Sequence, residues 1–217
     1  MNKILENIFD EITSVDNLLD AWKEFLKGKR NKKDVQQFSI KLIDNILALR
    51  HDLLQKSYEH GKYISFKVYD PKPRDIHKAP VRDRLLHHAI YRKLYPFFND
   101  KFVSDSFSCR KNKGTHKALD RFRGFAYKVS KNNTKTCWVL QCDIKKFFAS
   151  VDQNILLEIL QRSISDQNLL WLLGKIIGSF STKPVQLELF DLRGANRERE
   201  RERERETAMD AVCHLGI

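Results

Sequence analysis

The chain has 217 residues and a mass of 25.6 kDa, with 41% apolar and 11% aromatic residues. That is enough apolar material for a sizeable core and too much for a disordered protein. The longest apolar run is five residues, Leu169 to Leu173, so no helical membrane span is expected. The opening Met1-Asn2-Lys3-Ile4-Leu5-Glu6 lacks the apolar core of a signal peptide. Cysteines at 109, 137, 142 and 213 form no Cys-x-x-Cys pair, which suits a reducing cytoplasm.

The net charge of +12 is unevenly placed. Residues 1–60 carry 10 basic and 10 acidic side chains, residues 61–135 carry 19 and 6, and residues 136–217 carry 11 and 12. All of the excess sits in the middle block. Concentrated positive charge is the footprint of a polyanion partner, because each neutralised phosphate releases a condensed counterion. A plain solvated face and a membrane surface are the competing readings. Aromatics set among these charges, including Phe66, Tyr69, Phe107, Phe122 and Phe125, favour nucleic acid, since they can stack near a strand.

Along the chain, Val15, Leu18, Leu19, Trp22 and Phe25 predict a helix over 15–27. Val35, Phe38, Leu42, Ile46, Leu49 and Leu53 predict a one-faced helix over 35–54. Residues 62–69 read as a strand stopped by Pro71 and Pro73. Helices follow over 83–98 and 114–129, then a short strand over 137–144 whose alternation places Asp143 on its more polar face. Two helices complete the pattern. The first opens on Ser150-Val151-Asp152-Gln153, a capping-box spacing. The second carries Leu169, Leu172, Leu173, Ile176, Ile177 and Phe180 on one face, with Ser165-Asp166 as capping oxygens. Helices and strands without a regular βαβ rhythm indicate a helix-rich α+β fold. From Arg197 to Glu206 the sequence alternates Arg and Glu strictly. Such a segment has no apolar face, so the tail from about 185 is expected to be disordered.

A carboxylate at the end of an apolar strand can ligate Mg²⁺ or cap a turn. Three other segments set that choice in a wider pattern. In order they are Asp70-Pro-Lys-Pro-Arg-Asp-Ile-His-Lys-Ala-Pro, Val81-Arg-Asp-Arg-Leu-Leu-His-His-Ala-Ile, and Asp105-Ser-Phe-Ser-Cys-Arg-Lys-Asn-Lys-Gly-Thr-His-Lys-Ala-Leu. The fourth is Cys142-Asp-Ile-Lys-Lys-Phe-Phe-Ala-Ser-Val-Asp. Together they resemble the fingers and early palm of prokaryotic reverse transcriptases of the group II intron and diversity-generating-retroelement kind. Cys109 stands where that family's third block has Phe. The resemblance covers about 90 residues well.

The resemblance implies a partial right-hand polymerase with four parts. These are a helical N-terminal region (1–60), basic fingers (61–135), a partial palm with two helices (136–184) and the atypical tail (185–217). It implies that Asp143 is the first catalytic aspartate and a Mg²⁺ ligand, with the Ile144 carbonyl as a second ligand. Phe148 would lie beneath the incoming sugar, although only one of Phe147 and Phe148 can face that pocket. Lys72 and Arg74 would contact the nucleoside triphosphate, and Arg110, Lys111 and Lys113 the template. RNA template, DNA primer and deoxynucleoside triphosphates are the implied partners, with no membrane. Arg82-Asp83-Arg84 equally suits capping and pairing at a helix start. His77, His87, His88 and His116 lack metal-ligand spacing, and Cys137 and Cys142 read as packing residues.

The pattern then breaks. The chain holds no Asp-Asp pair and no Gly-x-x-x-Ser-Gln block, so the resemblance implies a reverse transcriptase truncated before its Tyr-x-Asp-Asp motif. Two-metal chemistry draws carboxylates from both palm segments, so activity of this chain alone is not expected. The alternatives are a non-catalytic RNA-binding module of the same descent, or an interaction domain whose basic face is merely solvated.

Overall fold

The computed structural model describes residues 4–69, 73–145 and 147–180, without the side chains of Arg74, Phe148 and Ala149. The segment 185–217 lies outside the described residues. The chain divides into two compact units, one of residues 1–147 and 151–180, the other of 148–150 and 181–217. All the packing that follows belongs to the first unit.

The fold is helix-rich α+β. Helices α1 (Phe9–Thr13), α2 (Val15–Phe25), α3 (Lys33–Ile40) and α4 (Leu42–Leu54) lead into strands β1 (Ile64–Tyr69) and β2 (Pro73–Lys78). Then come α5 (Val81–Asn99), α6 (Thr115–Val129), the single turn α7 (Phe147–Ser150), α8 (Gln153–Gln161) and α9 (Gln167–Ser179). Ser14 caps α2 by accepting from the Asn17 N–H at 3.2 Å. Asp152 caps α8 and Asp166 caps α9, each carboxylate accepting from the second and third amides of its helix. These caps satisfy donors that the first turn of a helix leaves free.

The expected helix over 35–54 is two helices. Lys41, at φ −117° and ψ 43°, interrupts it. Val35 on α3 and Ile46, Leu49 and Leu53 on α4 reach the core on either side of the break. The expected strand over 62–69 is β1, and its antiparallel partner is β2, a segment whose prolines had marked it as a stop. Pro73 is tolerated because it is the first residue of an edge strand. Phe66 faces Ile76 across the ribbon, and Ile64 faces Lys78. Residues 137–144 form no helix or strand among the described residues. Alternation fits a strand, yet a strand also needs a neighbouring backbone.

One core joins the N-terminal helices to α5 and α9. Ile12, Leu18, Trp22 and Phe25 meet Leu85, Leu86 and Ala89 of α5, and Ile164, Leu169 and Leu172 complete the cluster. Burying a side chain of this size contributes roughly 1.5–3 kcal/mol. Asn17 is the polar rivet: its Nδ2 donates to the carbonyls of Ile12 (3.0 Å) and Ala89 (3.3 Å), and its Oδ1 accepts from Arg92 Nε (3.1 Å). At the other end, the N–H of Leu5 donates to Ser163 O and that of Ser165 to Leu5 O, both at 3.0 Å. The Phe9 N–H donates to the Asp166 carboxylate at 2.8 Å. The segment 163–173 is therefore tied directly to the N-terminus. No described helix is long and apolar enough to cross a membrane.

Candidate nucleic-acid interface

The basic block divides by burial. Helix α5 belongs to the core, and its cations are paired. Arg82 meets Asp52, Arg84 meets Asp34, and Arg92 meets Asp20 and Glu24. The rest of the block, formed by the ribbon, the loop after α5, and α6, stands outside the core. Lys62, Lys67, Lys117, Lys128, Lys131 and Lys135 there are exposed.

Among the described residues the ribbon is anchored at its base. Lys78 at the end of β2 and Arg84 on α5 converge on Asp34 of α3, at 2.6 Å and 2.5 Å. Partial burial opposes ionisation of Asp34, but the two cations outweigh it and hold the carboxyl below its usual range. Ser65 Oγ and His77 Nδ1 lie 2.8 Å apart, and Tyr63 and His77 each set an edge against Phe180. Beyond this base every residue of β1 is exposed. Lys67 points outward there, and the backbone of Arg74 pairs with Val68. Lys72 lies outside the described residues.

The link from α4 into β1 hangs on a carboxylate of α5. Asp83 is 1% exposed and accepts from Tyr58 Oη (2.8 Å) and the Gly61 N–H (3.0 Å). Its expected role was a cap or pair at the helix start; it is instead a buried hub. Burial and the adjoining carboxylate hold the Tyr58 phenol well above its usual range. Beside the hub, His60 and His87 stack with ring centroids 5.2 Å apart, each with Nε2 buried and unpartnered among the described residues. Burial first, and the His60 ring second, push His87 down to about 4, with Asp83 pulling the other way.

Among the expected template residues, Arg110 closes its own loop. It donates from Nε to Asn99 Oδ1 (3.0 Å), from Nη1 to the Val103 and Ser106 carbonyls (2.8 and 3.2 Å), and from Nη2 to Asn99 O (3.1 Å). Lys111 lies over the Tyr95 ring at 5.5 Å. Lys113 bonds to the Ser104 carbonyl and lies over Phe107. The loop then enters α6 through Gly114, whose φ of 117° would strain any residue with a Cβ.

Helix α6 buries no side chain. At about 100° per residue, Lys117, Arg121 and Lys128 fall within a roughly 40° arc. Phe125, Ala118, Val129, Phe122 and Ala126 occupy the adjoining arc. Arg121 is held by Asp105 through contacts of 2.7 and 3.2 Å, which lower the Asp105 carboxyl. Lys117 and Lys128 are exposed. Phe122, Phe125 and Val129 share an open apolar groove of about 240 Å³ with Cys137, Trp138 and Leu140. Trp138 is 94% exposed, and Cys137 is half-buried while Cys142 is exposed, so of that expected packing pair only Cys137 is partly covered.

Asp143 and Ile144 are both exposed, and Asp143 has no hydrogen-bond or ion-pair partner among the described residues. No cluster of three potential metal ligands occurs among them either. A lone solvated carboxylate does not fit a two-magnesium centre, which needs converging carboxylates. Phe147 is 50% exposed, and Phe148 enters α7 with its side chain outside the described set.

No family model matches the chain. Protein YkfC of Escherichia coli (strain K12) is similar to it, at 26% identity over 141 residues covering 63% of this chain and 36% of that protein. The chain thus matches little more than a third of that curated relative.

Proposed function

We propose that this chain is a nucleic-acid-binding module of reverse-transcriptase descent, holding the fingers and the first palm segment of an RNA-directed DNA polymerase. By itself it binds RNA and RNA/DNA duplex and does not extend a primer. One observation carries the binding half of this reading. On and beside the ribbon and α6, outside the core, Lys62, Lys67, Lys117, Lys128, Lys131 and Lys135 of the basic block are exposed. Exposed aromatics border these cations on α6, which suits phosphate contact combined with base stacking. Arg110 and Lys113, as found, shape the loop that delivers α6 and leave the phosphate contacts to their neighbours.

The catalytic half rests on the four-segment resemblance, in which Asp143 is the first metal-binding aspartate. The residues present do not fit the magnesium pair, so no step is derived through it. Lys72, Arg74 and Phe148 keep their nucleotide-side roles as part of this proposal.

The test is fluorescence anisotropy with a short RNA and an RNA/DNA duplex across a salt series. A log–log slope of several units is expected if on the order of five phosphates are neutralised. Lys117→Gln with Lys128→Gln should lower that slope by about 2 and weaken all sequences alike. Salt-independent affinity would remove the reading. Robust Mg²⁺-dependent primer extension by the 217-residue chain, abolished by Asp143→Ala, would overturn its non-catalytic half.

A further inference from the structure

Helix α4 is apolar on two sides. One side, Ile46, Leu49 and Leu53, is fully buried. The other carries Ile43 (54% exposed), Leu47 (48%) and Leu54 (42%), and Ile40 at the end of α3 extends it at 81%. Core formation does not explain this second stripe. We infer that it is the contact face of a two-fold symmetric dimer, in which α4 packs antiparallel against α4 of a second copy of this chain.

The choice of occupant comes from how the polar residues flank the stripe. Measured around the helix from Leu47, Ile43 and Leu54 fall at about −40° and −20°, Arg50 at about −60°, and His51 and Asp44 at about +40° and +60°. A two-fold axis beside Leu47 inverts the helix direction and keeps each flank on its own side. Leu47 then meets the Leu47 of the second copy. On one flank Ile43 meets the aliphatic stem of the second copy's Arg50, three residues beyond the axis. On the other flank Asp44 faces the second copy's His51, separated by about one 1.5 Å rise. Leu54 meets Ile40 at either end. Every contact occurs twice, as an isologous interface requires.

The charges agree with this pairing. Asp44 has no ion-pair partner among the described residues, and Arg50 has its Nε buried without a hydrogen-bond partner. His51 contacts only the neighbouring Asp52, at 3.8 Å. Parallel packing would instead set each flank against the opposite one and leave the Asp44 carboxylate facing Ile43 of the second copy, an apolar side chain that cannot pair it. The antiparallel macrodipoles also attract. A helix of 13 residues spans about 20 Å, so the pair buries on the order of 1,000 Å² in total, near the lower limit of a specific interface. An interface of that size suits a weak, reversible dimer. The exposed face of α6 is the rival surface, but its cations and aromatics are already given to nucleic acid in the proposed function.

This inference is independent of nucleic-acid binding, and its test is run on nuclease-treated, full-length protein. Sedimentation equilibrium from about 5 to about 200 µM should show a reversible monomer–dimer equilibrium. Leu47→Glu should raise the dimer Kd at least about 30-fold while leaving the far-ultraviolet circular dichroism unchanged. Asp44→Lys should weaken the dimer, and adding His51→Asp in the same chain should restore it, which a merely sticky face would not do. A monomer throughout the concentration range overturns the inference. So does a dimer that survives Leu47→Glu and disappears with Phe122→Glu on α6.

Discussion

Lowering the pH from 7 to 5 should destabilise this protein through His87. Its ring is packed between the His60 ring and the Asp83 hub, and its pKa falls from 6.5 to about 4 on folding. Between those values the unfolded chain binds the proton and the folded chain does not. Stability is therefore full above the unfolded value and drains away as the pH falls towards 4. For these two pKa values the loss between pH 7 and pH 5 is about 2 kcal/mol. With a urea m-value of about 2 kcal/mol/M, the unfolding midpoint should move down by about 1 M. The carboxylates Asp34 and Asp105 have folded pKa values lowered from 3.8, so their loss sets in mainly at more acidic pH and stays largely out of this window. The assay is urea unfolding followed by circular dichroism at pH 7, 6 and 5. The comparison variant is His87→Phe, which keeps a ring against His60 and cannot titrate. A wild-type midpoint that stays flat, or an unchanged slope in His87→Phe, would refute the reasoning.

Two further outcomes follow from the same junction. Asp83→Ala strands the Tyr58 hydroxyl and the Gly61 N–H in a buried setting and should cost about 3 kcal/mol by urea denaturation, with Tyr58→Phe costing about half as much. Gly61→Ala should cost about 1–3 kcal/mol in the same measurement, because its Cβ would lie 2.7 Å from Pro80 Cγ and 2.9 Å from Asp83 Oδ2.

Local sequence determined the helices. Apolar spacing marked α2, α5 and α9, a capping-box spacing marked the start of α8 although Asp152 and not Ser150 caps it, and Asp166 announced its own cap, because helix periodicity and capping act over a few residues. Net charge by segment also located the basic block without any structure. Tertiary structure decided the rest. The break at Lys41 goes unregistered by the six-residue apolar pattern, which keeps its helical spacing straight through it. Strand β2 was hidden by Pro71 before it and Pro73 at its start, since whether a proline is tolerated depends on which strand edge it occupies. Residues 137–144 have the alternation of a strand, yet strand formation is settled by a partner's backbone, not by the segment itself. Asp83 shows the same limit from inside the core. Two residues into α5 it looks like a helix-start carboxylate, and only the fold brings Tyr58 and Gly61 from across the chain onto its oxygens. Asp143 is as conspicuous in the sequence as Asp83, but a metal centre is a convergence of several carboxylates. Such convergence is made by tertiary contacts, and no single segment encodes it.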